Sequence, residues 1–369
     1  MIRNPQDLFD IEACLRKADE ALANAPESIV QAPAPLSEGG PHDFFSMGDY
    51  WWPNPATPDG TPYVRRDGES NPDAFVAHRL MLRRMRTRAA RLAVGYVLSG
   101  RDEYADHAAR LLRVFFLDPE TRMNPHLCYA QAIPGICSGR GIGIIDTLHL
   151  IDVPMAVLAL RDSPAFPEAV EQGLRAWFKA YLHWMRTHPY GEEERRQNNN
   201  HAVCWHVQAA AFARFVGDDA TLAFCRDQYK TVLLPEQMAP DGSFPRELAR
   251  TKPYAYSNFV LDNMITLCEL LSEADNDVWS FALPDGRGIR RGMEFLYPYV
   301  ADKSQWPYPP DVQDDDAWPV AMAGFLLAGL ALNEPAYIAL WQTLERDPAN
   351  MEVRRNMAIR EPLLWILGK

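Results

Sequence analysis

Residues 92–116 read LAVGYVLSGRDEYADHAARLLRVFF, an apolar helical stretch followed by a short turn and a second helical stretch. The pattern returns at residues 207–229 as VQAAAFARFVGDDATLAFCRDQY and at residues 322–344 as MAGFLLAGLALNEPAYIALWQTL. In each copy a turn of glycine or asparagine with an acidic residue joins two stretches of helical spacing, which predicts a helical hairpin. Stacked hairpins bury the apolar face that no single hairpin can bury alone.

The rest of the chain favours the same fold class. No convincing set of strand patterns appears. A first helix is predicted near residues 6–24, and a further helical run is predicted to start at Asn71–Pro72 and to extend through Leu98. The sequence therefore predicts an all-α fold, an (α/α) toroid or barrel built from helical hairpins, which forms a single domain over residues 1–369.

A long polar segment, residues 31–72, follows the first helix. Proline and glycine are so frequent in it that neither helix nor strand is expected to persist. Long loops in compact proteins usually serve as lids or binding loops, and aromatic side chains favour an ordered one. We therefore predict a lid loop at residues 31–72 and a second cleft wall in the Pro-rich loop 304–319. The aromatic residues of the lid are Phe44, Phe45, Tyr50, Trp51, Trp52 and Tyr63.

Composition limits the classes of partner. The net charge of −12 argues against nucleic acid, because phosphate binding needs a basic face, although an acidic protein can still hold a locally basic groove. The N-terminus has the pattern of an amphipathic helix and not of a signal peptide, and no membrane-spanning apolar run is evident. We expect no nucleic-acid partner, no membrane partner and a cytoplasmic location as the sequence stands. A trimmed N-terminus would be compatible with the periplasm.

The cysteine pattern favours buried free thiols over a disulfide framework, because the six cysteines are widely spaced and form no CxxC pair. A metal site at His201, Cys204 and His206 is the alternative use of one of them. Spacings of three and five do not place all three side chains on one helical face, so we predict no metal ligands. The cysteines are Cys14, Cys128, Cys137, Cys204, Cys225 and Cys268.

Residues 195–201 read RRQNNNH and directly precede an apolar run. One asparagine is enough to cap a helix, and three in succession followed by a histidine exceed that need. Side-chain amides and an imidazole at the positive end of a helix form a natural pocket for a carboxylate. The alternative is that these residues only cap the helix and contact solvent.

A second polar segment, residues 241–259, reads DGSFPRELARTKPYAYSNF, a turn and a polar connection before a new helix. Arg250 and Tyr256 lie six residues apart and can point into one cavity. The alternative is that Tyr254 and Tyr256 belong to the core and have internally satisfied hydroxyl groups.

Together, the two segments fit elimination of a glycosidic bond 4-linked to a uronate. That reaction removes the weakly acidic proton at C5, beside a carboxylate, and builds a second negative charge. Asn200, His201 and Arg250 offer donors that stabilise this charge. Tyr256 can take the proton as a phenolate and afterwards protonate the leaving oxygen. An ordinary tyrosine titrates near about 10, so a neighbouring cation such as Arg250 is needed to lower its pKa.

The sequence resembles the alginate-lyase superfamily of helical polysaccharide lyases, whose members act on alginate and on related polyuronates such as glucuronan. The resemblance covers roughly residues 40–270, and it is specific because several motifs occur together. These motifs are GDYWWPNP (48–55), PYVRRDGE (62–69), YAQAIPG (129–135), GRG (139–141), NNH (199–201) and ELARTK (247–252) with Tyr256.

The resemblance implies a lyase in which one tyrosine is both base and acid, while an asparagine–histidine pair and an arginine neutralise the uronate carboxylate. It implies an acidic polysaccharide substrate and neither metal nor other cofactor. The roles map onto Tyr256, Asn200, His201 and Arg250, with Asn199 and Tyr254 as competing candidates. The residues expected to bind substrate are Trp51, Trp52, Tyr63, Arg65, Arg66, Tyr129, Gln131, Arg140, Asn199 and Tyr254.

Two other function classes remain alternatives at this point. A glycoside hydrolase on the same helical toroid would need two carboxylates that flank the bond, and its candidates include acids such as Asp241 or Asp314. A non-catalytic protein would bind acidic sugar with its aromatic loop. The products separate the three classes, because only a lyase leaves an unsaturated uronate that absorbs ultraviolet light.

Overall fold

The structure, a computed structural model, describes residues 5–367 and is 58% helical with 5% strand. The described chain divides into two compact units. The N-terminal unit comprises residues 5–66, 70–193 and 359–367, and the C-terminal unit comprises Asp67–Glu69 and Glu194–Ala358. The organisation as a single domain stays a prediction.

The helices account for most of both units. In chain order they are α1 (Ile11–Leu22), α2 (Ala77–Ser99), α3 (Asp102–Phe116), α4 (Asp152–Leu160), α5 (Glu168–Thr187), α6 (Pro189–Arg195), α7 (Asn200–Val216), α8 (Asp219–Gln228), α9 (Leu234–Gln237), α10 (Pro245–Leu248), α11 (Pro253–Leu271), α12 (Ile289–Ala301), α13 (Ala323–Ala331), α14 (Pro335–Thr343), α15 (Met351–Arg355) and α16 (Pro362–Leu367). A 3₁₀ helix, Gly141–Ile151, leads directly into α4.

The three predicted hairpins are confirmed as the pairs α2–α3, α7–α8 and α13–α14. Gly100 and Gly217 end the first helix of their hairpins with φ of 69° and 76°, in the left-handed region. Asn333 takes the same region in the third hairpin, with φ of 54°. Glycine and asparagine tolerate this conformation best, which explains why the turns of the repeat use these two residues.

Three short strands correct the expectation that no strand persists in residues 31–72, and a fourth strand lies later in the chain. Strand β1 (Phe45–Met47) pairs in parallel with β4 (Tyr129–Ala132), and β2 (Trp51–Trp52) pairs antiparallel with β3 (Val64–Arg65). The prolines of this segment lie between the strands and not within them, so they do not interrupt the pairing. A segment dense in proline and glycine is therefore ordered by two very short ladders.

Two helix starts also differ from the prediction. The first helix begins at Ile11, where Asp10 caps it by accepting from Ala13 N at 2.9 Å. The second begins at Ala77 and not at Asn71. The Asn71 side chain accepts from Asp73 N at 3.0 Å, which makes a turn, and donates to a backbone carbonyl of β2 at 2.9 Å. An asparagine before proline therefore starts a turn here rather than a helix.

A buried ion pair joins the last helix of the chain to the core of the N-terminal unit. Asp152 accepts from Arg86 Nη1 at 2.9 Å, from Arg360 N at 3.0 Å and from Trp365 Nε1 at 2.7 Å. The Arg86 and Asp152 side chains are only 2% and 0% exposed. Three donors from α2 and the C-terminal segment therefore converge on one carboxylate.

A second buried carboxylate, Asp262 on α11, lies in the C-terminal unit. Gly324 N donates to its Oδ1 at 2.6 Å, while Oδ2 has no hydrogen-bond partner. Burial raises the pKa of Asp262 to about 7. An unfolded aspartate titrates near about 4, so the unfolded chain loses its proton first and stability falls as pH rises from there to about 7.

Asp262→Asn is therefore expected to stabilise the protein in a pH-dependent way. The free energy of unfolding of the variant exceeds that of the native protein by nearly zero at pH 4 and by on the order of 4 kcal/mol above pH 7, because the amide cannot ionise. Chemical denaturation of both proteins at pH 4, 6 and 8 measures this gain. A difference between them that is constant across this range would contradict a buried, titrating Asp262.

The segment Gly141–Leu160 is long and apolar enough to cross a membrane by length and composition, which corrects the expectation that the sequence holds no such run. Of its most apolar stretch of 18 residues, 72% is buried inside the protein, as in the core helix of a globular protein.

The cysteines are all free. Cys204, Cys225 and Cys268 are buried as predicted, whereas the other three are half-buried, which corrects the expectation for them.

Candidate active site

The asparagine run forms the start of α7 in the C-terminal unit. Asn199 is the N-cap, and its side chain accepts from His201 N at 3.2 Å. Its carbonyl accepts from Gln237 Nε2 at 3.1 Å. One asparagine thus does the capping, as the helix rule requires. The Asn199 side chain is thereby engaged in capping, whereas Asn200 and His201 contact buried carboxylates.

Asn200 is held by a buried carboxylate. Glu247 accepts from Asn200 N at 2.7 Å and from Asn200 Nδ2 at 3.0 and 2.9 Å. Glu247 is 0% exposed and Asn200 is 2% exposed. Burial raises the pKa of Glu247, and the hydrogen bonds from Asn200 together with the charges of Arg250 and His201 oppose this rise.

His201 faces a different buried carboxylate. Its Nδ1 lies 2.9 and 3.1 Å from the two carboxylate oxygens of Glu194, near the end of α6. The Glu194 side chain is fully buried, whereas that of His201 is 17% exposed. An ionised carboxylate only accepts hydrogen bonds, so beside an ionised Glu194 the Nδ1 atom donates and Nε2 faces other partners.

Arg250 and Tyr256 meet, as their spacing predicted. Nη2 of Arg250 donates to Tyr256 Oη at 3.2 Å, and the guanidinium carbon lies 4.4 Å from the centre of the tyrosine ring. Nε and Nη2 of Arg250 also donate to Asp67 at 3.1 and 2.8 Å. Burial alone would lower the pKa of Arg250, but Asp67 and the other acidic neighbours outweigh it and the pKa is raised. A permanent positive charge therefore lies against the phenol.

Tyr254 does not join this group. It is 0% exposed, and its hydroxyl donates to Tyr299 O at 3.1 Å. Its backbone N donates to Asp311, and burial raises its pKa well above that of a free tyrosine. The expectation that Tyr254 contacts substrate is therefore corrected, because this ring belongs to the core of the C-terminal unit.

The N-terminal unit holds the other predicted binding residues. Gln131 lies on β4 with a φ of 51°, which is costly for a residue with a side chain. Ser46 Oγ accepts from Gln131 N at 2.8 Å and donates to Asp146 at 2.5 Å. Arg140 Nη2 donates to Gln131 Oε1 at 2.8 Å. Strain held by such a network often marks a functional position.

Tryptophan and arginine side chains lie against each other on the hairpin formed by β2 and β3. Trp51 pairs with Arg65 across β2 and β3. The Arg66 guanidinium lies 4.7 Å from the Trp52 ring centre, and that of Arg140 lies 5.9 Å from the Trp51 ring centre. Arg65 is close enough to help lower the pKa of Arg140, whose burial is the main cause of that shift. The structure thus brings the predicted cationic and aromatic residues of this unit together.

Tyr63 and Tyr129 are half-buried and serve packing in addition to any contact with substrate. Both rings pack against a small buried cluster, and Tyr129 is paired with Phe45 across β1 and β4. The cluster consists of Phe45, Met47, Ala74 and Ala132. These two tyrosines are therefore poorer choices than Trp51 or Trp52 for testing the binding of sugar.

Trp52→Ala is expected to weaken polymer turnover several-fold while leaving the melting temperature nearly unchanged. Trp52 is half-buried, but its ring is covered by the exposed Arg66 side chain, so its removal is expected to open little core. Steady-state rates on polymer and thermal unfolding of the same preparation measure both effects. A loss of several degrees would assign the ring to the core instead.

Both acidic residues considered for the alternative hydrolase accept hydrogen bonds from other groups of the protein. Asp241 accepts from Ser243 N at 3.0 Å in a turn, and Asp314 accepts from Asn350 Nδ2 at 2.7 Å. At the alternative metal site, Cys204 is buried and His206 Nδ1 donates to Ala202 O at 2.8 Å. Among residues 5–367, no three histidine, cysteine or acidic side chains come close enough to hold a metal ion. The absence of a metal or cofactor requirement stays a prediction.

Sequence reasoning missed three acidic residues of this site, Glu194, Glu247 and Asp67. Two of them were within quoted motifs, Asp67 in PYVRRDGE and Glu247 in ELARTK, and Glu194 lies seven residues before His201. An acidic residue amid cationic and amide donors was the available signal. Acidic residues are usually exposed, so their place in the sequence alone does not single them out.

Comparisons with known proteins agree with this description. The alginate lyase family profile matches residues 28–306, most of the chain. No curated protein matches the chain. Among solved structures, an alginate lyase from Bacteroides ovatus is 34% identical, with a TM-score of 0.83 over 96% of this chain and 95% of that one.

More distant structures share the fold. An alginate lyase from a Sphingomonas species is 16% identical, with a TM-score of 0.54 over 92% of each chain. A tyrosine-to-phenylalanine variant of alginate lyase was solved with a tetrasaccharide, and it is 16% identical with a TM-score of 0.52 over 88% of this chain and 87% of that one. These similarities confirm the predicted all-α toroid fold class.

The helical hairpins, the paired site residues and the family match lead to one conclusion. The chain belongs to the alginate lyase family and is a polysaccharide lyase. The resemblance stated from the sequence motifs is thereby confirmed.

Proposed function

We propose that this lyase cleaves 4-linked polyuronate of the alginate type by β-elimination, with Tyr256 as the proton-transfer residue. The observation that carries the proposal is the contact of Arg250 with the Tyr256 hydroxyl at 3.2 Å, since a fixed cation beside a phenol favours the phenolate. Glucuronan is the related substrate that the sequence motifs also allow.

The reaction needs two functions from the protein. Asn200, His201 and Arg250 hold the uronate carboxylate, so that the charge that develops when C5 loses its proton is stabilised. Tyr256 as phenolate takes that proton, and the electron pair of the C5–H bond is delocalised into the neutralised carboxylate. This pair forms the C4–C5 double bond as the C4–O bond breaks, and the tyrosine hydroxyl gives its proton to the leaving oxygen. No water is consumed.

Several observations support the assignment. Asn200, His201, Arg250 and Tyr256 all belong to the C-terminal unit, and Glu247 is close enough to Asn200, His201 and Arg250 for its pKa to respond to all three. The half-buried tryptophans Trp51 and Trp52 and the exposed Arg65 and Arg66 of the N-terminal unit suit stacking on sugar rings and pairing with carboxylates. The Bacteroides ovatus relative, an alginate lyase, resembles this chain over nearly its full length.

A product screen tests the proposal. Incubation with mannuronate-rich alginate, guluronate-rich alginate, glucuronan and hyaluronan is followed by ultraviolet absorbance and by an assay for new reducing ends. We expect absorbance and reducing ends to rise together, and most strongly on an alginate. Reducing ends without absorbance would indicate a hydrolase, and neither signal on any polymer would refute the proposed substrate class.

A further inference from the structure

We propose that Glu194 and Glu247 are positioning residues, each of which fixes one of the two neighbouring side chains that hold the uronate carboxylate. The inference rests on the proposed function of Asn200 and His201. Glu194 and Glu247 are both 0% exposed, and each makes its contacts with a different member of that pair. Two adjacent residues thus have two separate buried carboxylates.

Glu194 determines which nitrogen of His201 acts on substrate. Both carboxylate oxygens lie within hydrogen-bond distance of Nδ1, at 2.9 and 3.1 Å. Nδ1 must therefore donate, so a neutral ring has an accepting Nε2 and a protonated ring has a donating Nε2. In either state the working atom is Nε2, and the ring cannot rotate by half a turn without losing the Glu194 contact.

Glu247 determines the direction of the Asn200 amide. The two N–H bonds of an amide diverge widely, whereas the two oxygens of a carboxylate lie close together. A single N–H therefore reaches both Glu247 oxygens, at 3.0 and 2.9 Å, and the second N–H is directed away from Glu247. Oδ1 and Nδ2 cannot be exchanged, because an oxygen in place of Nδ2 would face the carboxylate.

Burial of the Glu194 and Glu247 carboxylates lowers the stability of the fold. An ionised group without exposure to water is tolerated only when hydrogen bonds and opposite charge compensate it. For Glu247 that compensation comes from Asn200, Arg250 and His201. An apolar residue at the same position would pack at lower cost, so the two carboxylates are better explained by the geometry they impose than by stability.

The first test uses Glu194→Gln and Glu247→Gln in the full chain. Each keeps the size of the side chain, removes its charge and adds a donor that opposes the existing contact. We expect kcat on the best polyuronate to fall by about 10²-fold, as for a displacement of about 1 Å of a reacting group. The melting temperature should change by only a few degrees. Asp262→Asn is the matched substitution at a buried acid that accepts from Gly324 N, and it should leave kcat unchanged.

A double-mutant cycle separates positioning from general damage. In an Asn200→Ala background, Glu247→Gln should cost less than about threefold in kcat, because its partner is already absent. In a His201→Ala background the same holds for Glu194→Gln. A purely structural role predicts that the losses multiply in both backgrounds, and that result would overturn the inference.

The histidine ring gives an independent readout. The protein has nine histidines, so the ¹⁵N signals of His201 are assigned by comparison with His201→Ala. At a pH where the ring is neutral, the native protein should show the proton on Nδ1, and Glu194→Gln should show a mixture of tautomers. Glu194→Asp keeps the charge and should restore part of the Nδ1 form, which also covers the case that Glu194→Gln fails to fold.

Failure of the inference differs from failure of the proposed function. Absence of turnover by the native protein on every polyuronate refutes the function. Turnover by the native protein with unchanged kcat in both glutamine variants, or an unchanged tautomer in Glu194→Gln and Glu194→Asp, refutes the positioning role alone.

Discussion

Tyr256→Phe is expected to lower kcat on the best polyuronate by about 10⁴-fold, the upper end for a general acid–base group. The substitution removes a single hydroxyl, and this one hydroxyl serves both proton transfers in the proposed mechanism. The ring and its contact with the Arg250 guanidinium remain, so the protein should keep its fold and its affinity for oligouronate. Ultraviolet absorbance of the product and calorimetric titration with a tetrasaccharide measure the two effects.

Tyr254→Phe is the matched control for this variant. It removes the same atom two residues away, where the hydroxyl donates to a backbone carbonyl in the core. We expect nearly full activity and a modest loss of stability of about 1 kcal/mol, because a buried carbonyl loses its partner. If Tyr254→Phe were inactive and Tyr256→Phe active, the assignment within α11 would be wrong. Full activity of both variants would exclude the tyrosine mechanism.

Asp152→Ala is expected to lower the free energy of unfolding by about 3–5 kcal/mol, because it leaves Arg86 buried without its counter-charge. The variant also removes the acceptor for Arg360 N and Trp365 Nε1, so the C-terminal segment should become more accessible to hydrogen exchange. Chemical denaturation measures the free energy, and mass-spectrometric exchange locates the loosened segment.

Asp106→Ala provides the comparison for that stability loss. Asp106 pairs with Arg110 on α3 in the same unit, at 2.9 Å, but both side chains are more than half exposed. Exposed pairs contribute about 0–1 kcal/mol, so this variant should unfold almost like the native protein. Equal losses in the two variants would show that burial is not what makes the Asp152 pair important.

The residues that the sequence identified without help are those whose role is local. Gly100, Gly217 and Asn333 end helices in the left-handed region, and that conformation depends on the residue itself. The Arg250–Tyr256 contact spans six residues, and the cap at Asn199 spans two, although the sequence left open which asparagine of the run caps the helix. The geometry of such features depends on residues that are close in the sequence, so periodicity and turn chemistry were enough to predict them.

The tertiary structure decided which face of a helix is buried and which distant groups meet. Tyr254 and Tyr256 lie two positions apart and so point to nearly opposite faces of α11, yet nothing in their local sequence says which face is inside. The short strand β1 is ordered by β4, which lies more than eighty residues later. Asp67 reaches Arg250 across 183 positions.

The charge environment of the site could not be predicted from the sequence alone. Glu194 and Glu247 stand in polar, charged segments where acidic side chains are normally exposed, and only the packing around α7 and α11 buries them. Burial is what raises the pKa of Glu247 and what makes its hydrogen bonds with Asn200 directional. The sequence alone thus determined the hairpins and the chemical groups of the site, because these depend on neighbours in the chain. Desolvation and long-range pairing depend on the assembled core, and they decided how those groups are held.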